Sequence, residues 1–289
     1  MRDLKKYLAF LPILLLCLSV NAQDDLMNQL EDDWDDSEKA ETIAAFKGLK
    51  IVNFESTKLA DKGDFYFVVA HRFGSVERGF DNLFGLDNAV TKLSFIYAPW
   101  EGFNVGFGRS SYRKIYGFHI KYRLAQQQED GFPFTIAGYN LLTIDTQFNT
   151  VAQPQLTFND RLSHTVQLLI SSKVNPKLSL QLAPTLLHEN TVFYDPQDNT
   201  QFILGLGGRH KISKRLSLNA DYGWHLNRAE GSPFNNSLSV GVDIETGGHV
   251  FQLHFTNAQP MFENGFLANG NGDWGEGVFF FGFNISRVF

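Results

Sequence analysis

Ser110, Ser111, His71, His119 and His164 are the residues whose types could build a hydrolytic centre. A serine nucleophile needs an imidazole in hydrogen-bond reach and a third group to orient that imidazole. None of the five falls in a nucleophile motif, so no catalytic residue is assigned; a lipid-acting hydrolase is the minor alternative. Metal chemistry needs clustered ligands, and His225 and His254 lie on separate segments. Asn269-Gly270-Asn271-Gly272-Asp273 is turn-rich like a calcium loop but lacks the later acid of an EF-hand. There is no P-loop. Neither a metal site nor a cofactor is expected. What remains is a set of charged and imidazole side chains at alternate positions: Lys92, His119, Lys121, Arg123, Arg209, Lys211, Asp221, His225, Asp243 and Glu245. Their chemistry is ion pairing and solute contact, provided that they share one face.

The elements that must position them are strands. Leu216, Leu218, Ala220, Tyr222, Trp224 and Leu226 alternate with Ser217, Asn219, Asp221, Gly223, His225 and Asn227. The same period of two runs through 238–245 and 250–256. It culminates in 277–289, where Phe279, Phe281, Phe283, Ile285 and Phe289 share a face. So apolar an edge invites aggregation in water. It suits a strand that turns one face to lipid inside a closed sheet. The fold expected is all-β, a transmembrane antiparallel β-barrel.

Composition agrees. Mean hydropathy is −0.18, which leaves no room for a bundle of apolar helices. The one cysteine, Cys17, rules out an internal disulfide. It sits in the apolar run Leu8–Val20, which follows Arg2, Lys5 and Lys6 and leads to Ala22. That pattern reads as a secretory signal peptide over 1–22. From Asp24 to Glu41 nine acids face one base, Lys39. Residues 23–45 are therefore read as an acidic N-terminal segment on the periplasmic side, helical or disordered, with 23–42 a possible contact for a periplasmic partner. The rest carries no basic stripe for nucleic acid.

Strands are expected at 63–73, 90–98, 103–110, 115–124, 134–144, 164–174, 178–188, 201–211, 216–227, 238–245, 250–256 and 277–289. Outer-membrane barrels pair short periplasmic turns with long outer loops and, in bacteria, an even strand number. Walking back from Phe289 on that rule gives twelve, with fourteen the alternative. A thirteenth candidate, 47–55, breaks the parity and is read as lying inside or under the barrel. The domains are then 1–22, 23–45 and 46–289. Phe289 should sit at the periplasmic end as an assembly signal for the barrel-assembly machinery, with outer-membrane lipid around the wall. The strand at 277–289 should close against 63–73.

Two further stretches stand out: His71-Arg72-Phe73-Gly74 with Gly79 to Ala89, and Gly106-Phe107-Gly108-Arg109-Ser110-Ser111-Tyr112-Arg113-Lys114. They resemble a family of Gram-negative outer-membrane β-barrel proteins of unknown function, marked by an HRFG…FGLD…GRS pattern. The resemblance runs from about residue 43 to the end and implies a barrel in the envelope, with no established activity. Physically, Gly74, Gly79 and Gly85 suit a tightly turned loop, folded inward. Arg72, Arg109 and Arg113 are expected to pair with Asp81 and Asp87 and pin that loop to the wall.

The inward candidates lean basic in the early strands and acidic in the late ones. Two opposed arcs fit a passive or weakly selective channel for small polar solutes. They equally fit a salt-bridged core that fills the lumen of a structural or partner-binding barrel.

Overall fold

The structure is a computed structural model describing residues 44–148, 155–246 and 249–289. The readings of a signal peptide over 1–22 and of an acidic contact segment over 23–42 lie outside the described residues.

Twelve antiparallel strands close into one barrel: β1 Phe65–Ser75, β2 Ala89–Trp100, β3 Phe103–Ser110, β4 Tyr116–Ala125, β5 Thr135–Ile144, β6 Leu162–Lys173, β7 Leu178–Glu189, β8 Thr200–Lys211, β9 Leu216–His225, β10 Leu238–Thr246, β11 His249–Thr256 and β12 Phe280–Val288. Each strand pairs with its sequence neighbours, and β12 returns to β1. No open edge is left, so every ladder hydrogen bond finds a partner within the wall.

Both ends of the seam lie at one rim. Short connections at 101–102, 126–134, 174–177 and 212–215 share that rim with Phe65 and Phe289. At the opposite rim run 76–88, 111–115, 145–148, 155–161, 190–199, 226–237 and 257–279. Loop length therefore assigns the seam rim to the periplasm and the other to the outside.

The period of two sorts the side chains. Leu93, Phe95, Val105, Phe118, Ile120, Leu180, Leu182, Phe202, Leu218, Val240 and Leu253 stay exposed on the outer face, a belt that only lipid can cover. Aromatic pairs band it: Trp100 on Phe103 and Phe65 near Phe289 at the seam rim, Phe73 on Phe281 and Trp274 on Phe279 at the other. Gly74 and Gly85 meet where the loop after β1 begins and ends. Gly85 has φ +89°, and a Cβ there would lie 2.2 Å from the Gly74 carbonyl oxygen.

Two expectations need correction. The loop 76–88 does not fold inward: Phe80 at its tip is 78% exposed. Asn82 ties it down locally, its side chain bonding the Ser75 carbonyl and the Gly85 N–H. Nor do the arginines pin it. Among the described residues neither Asp81 nor Asp87 forms an ion pair. Alternation is the reason. Arg72 points into the lumen, Arg109 points out and packs on Tyr116, and Arg113 pairs with Asp145.

Candidate functional site in the lumen

The inner face of the wall is polar, and two segments that are not wall strands fill it. Residues 45–60 precede β1 and are buried at nearly every position. The candidate strand at 47–55 is thus a lumenal insert, bent back so that Lys50 pairs with Glu55 across a short bridge. From the other rim, the connection between β11 and β12 dips in and buries Ala258, Met261, Phe262, Glu263, Phe266 and Leu267 around a π-helical turn, Asn264–Ala268. The two inserts meet at Phe54 and Phe266, whose rings pack edge to face with centroids 5.3 Å apart.

An irregular buried backbone must find its hydrogen bonds somewhere. Here wall side chains supply them. One Asp221 oxygen accepts the N–H groups of Val52, Asn53 and Phe54 at 3.0, 2.7 and 3.1 Å. The Gln252 amide donates to the carbonyls of Lys50 and Ile51, that of Asn284 to Val52, and that of Gln181 to Glu55. Thr57 and Ser171 hydroxyls touch at 2.5 Å.

Apolar contacts depend on wall glycines. A Cβ on Gly205 would lie 2.4 Å from the Phe54 ring, one on Gly207 2.3 Å from Ile51, and one on Gly117 2.3 Å from Phe262. Real side chains never approach so closely, so these glycines are the seats of the inserted residues.

The charged candidates sort as follows. Lys92, His119 and Lys121 on β2 and β4, with Arg72 on β1, face the lumen on one side. Asp221, Asp243 and Glu245 on β9 and β10 face it on the other. The insert spans the two. Its Glu55 pairs with Lys121 at 3.0 Å and with its own Lys50 at 2.7 Å, while its N–H groups sit on Asp221. Arg72 donates to Asn53, Asn284 and the His71 carbonyl. Asp243 accepts from Gln252, and Arg209 pairs with Glu245. His225 contacts Gln201, which donates to Glu189. Arg123 and Lys211 lie at the seam rim, Arg123 pairing with Glu101 in the adjacent turn.

Glu55, Lys50 and Glu263 were missed among the candidates. A usable signal was the parity-breaking segment 47–55 together with the apolar cluster Met261, Phe262, Phe266, Leu267 inside a long outer loop. The hydrolase candidates do not assemble. His71 contacts the Thr91 hydroxyl, Ser110 and Ser111 take backbone N–H groups, and His164 lies on the outer face.

At the seam, the signature strand and the terminal strand meet in register: His71 opposite Phe283 and Arg72 opposite Gly282. The His71 ring stacks on Phe283 with centroids 5.1 Å apart.

Solved structures with a similar barrel include the NanC porin, 7% identical with a TM-score of 0.48 over 78% of this chain and 98% of that one. The KdgM porin is 9% identical with a TM-score of 0.47 over 78% and 99%. Omp33 of Acinetobacter baumannii is 10% identical with a TM-score of 0.42 over 79% and 99%. No curated protein matches the chain. A family model described as a membrane bound beta barrel domain (DUF5777) matches residues 46–289, and the chain belongs to that family as a barrel of the outer membrane.

Proposed function

We propose that the protein is a channel for small polar solutes that rests closed, with residues 45–60 as its stopper. One observation carries this reading. The wall closes on itself through β1 to β12 without the insert, and holds it through polar side chains that can exchange one partner for another. A twelve-strand lumen is wider than side chains alone fill in an eight-strand barrel. Removing the stopper uncovers the polar wall residues that hold it, among them Asp221, Lys121 and Gln252, and leaves the insert between β11 and β12 as the remaining content of the lumen.

Planar-bilayer recordings test it. The chain from residue 23 onward should be quiet, and the same barrel lacking 23–60 should give conductance steps. A truncated barrel that is folded by gel shift on heating, yet silent at every voltage, would sink the channel reading.

The Phe54–Phe266 contact favours a second reading, a filled barrel with a structural role. In that case the acidic stretch 23–42 carries the contact to a periplasmic partner.

A further inference from the structure

Lys92 in the lumen is a buried lysine that, among the described residues, forms no ion pair. Lys92 is 7% exposed, and its ammonium donates to the Met261 carbonyl at 3.4 Å and lies 3.8 Å from the centre of the Phe262 ring. Lys50 and Lys121 nearby do form ion pairs. A buried charge left in this state is costly, and the cost falls when an anion or water reaches it.

Space for that anion is present. A cavity of about 40 Å³ open to water-sized molecules lies beside Lys92, between the insert and the wall. Its polar lining comprises Lys50, Glu55, Ser94, His119, Gln252 and Asn284, with Ser286 and Val250 toward the seam rim. One water needs roughly 10–15 Å³ by this measure, so a group of three heavy atoms fits. The neighbouring lysines indicate which group the chamber accepts. Lys121 donates to a carboxylate at 3.0 Å, and Lys50 pairs with the same carboxylate at 2.7 Å.

We infer that this chamber is a binding site for the carboxylate of a small organic acid, which pairs with Lys92 and takes a hydrogen bond from the Ser94 hydroxyl. The ligand reaches it from the periplasmic rim. Once bound, it stands beside Glu55 and competes with it for Lys50. The inference deepens the channel reading by naming its solute class and rests on that reading for the solute's passage, whereas occupancy of the site is measured without current.

The probe is ¹³C-labelled formate, whose three heavy atoms match the chamber, followed by line broadening on the full-length barrel folded in detergent. Saturable broadening is expected. Lys92→Met, which keeps an unbranched side chain one atom shorter and removes its charge, should weaken it by about tenfold or more. Lys114→Met, exposed at the opposite rim, should leave it unchanged. Glu55→Gln removes the competing carboxylate and should tighten binding, which gives a second arm should Lys92→Met fail to fold. Absence of saturable broadening in the wild-type barrel would overturn the inference. So would equal broadening in wild type and Lys92→Met, or unchanged binding in Glu55→Gln. A silent truncated barrel together with saturable binding in the full-length barrel counts against the channel and leaves the site standing.

Discussion

The Asp221 carboxylate accepts the backbone N–H of Asn53 at 2.7 Å, and the same oxygen takes the N–H groups on either side of it. Three successive donors on one anion form a backbone nest turned toward the wall. The insert is thus fixed by its main chain at β9 and by its Glu55 side chain at β4.

Replacing Asp221 by Ala leaves three buried donors without an acceptor. Each unsatisfied donor costs about 1–3 kcal/mol, more than a short insert can offset. Asp221→Ala should therefore loosen the insert while the wall stays closed. With Asn53→Cys as reporter, labelling by a water-soluble maleimide should speed up by at least about tenfold. Unchanged labelling in a barrel that still shifts on heating would contradict the anchoring role.

Gly205→Leu should expel Phe54. Overpacking of this kind costs about 1–3 kcal/mol. Gly208 is the control, because a Cβ there meets nothing nearer than 3.5 Å. Thermal unfolding in detergent should show a lowered midpoint for Gly205→Leu and none for Gly208→Leu. Equal midpoints would remove the steric argument.

A disulfide should lock the insert in place. The Thr57 and Ser171 hydroxyls are 2.5 Å apart, so paired cysteines at these positions place their sulfurs near bonding distance. In an Asp221→Ala barrel, whose loosened insert should pass current, oxidised Thr57→Cys/Ser171→Cys should abolish that current, and reduction should restore it. Current through the oxidised form would show that solute passes without movement of the insert.

Phe289→Ala should act on assembly. Phe289 exchanges backbone hydrogen bonds with Phe65, and the two rings lie 6.3 Å apart. The amount of inserted, heat-modifiable barrel should fall several-fold, while conductance per inserted barrel stays the same. Wild-type amounts of inserted protein would count against the terminal aromatic as an assembly signal.

Much of the wall was legible because a half-buried strand has a strict period. Leu216–His225 and Leu238–Thr246 sort their residues onto two faces, and the turn residues between them mark the breaks. Parity alone set 47–55 aside. Its destination was not legible, since a segment buried on all sides shows no alternation. The arginine pairing failed for a related reason. Charge complementarity between Arg72 and Asp81 carries no direction, whereas one residue of register decides which face a side chain takes. Arg72 and Phe73 are adjacent and point to opposite sides of the wall. The inward fold of 257–276 was written in its apolar residues, which an exposed outer loop has no use for.

The seam between β1 and β12 has a bearing on how the molecule is made. One insert is joined directly to β1, and the other directly precedes β12. The two strands that zip the cylinder shut are therefore each tethered to a piece of its contents. Zipping them brings Phe54 and Phe266 together in the same motion, so a barrel sealed empty would have to be refilled through its own mouths. Closure and occlusion are then expected as a single event, and dye-loaded vesicles should hold their contents while the heat-modifiable barrel accumulates; dye release ahead of barrel formation would contradict it.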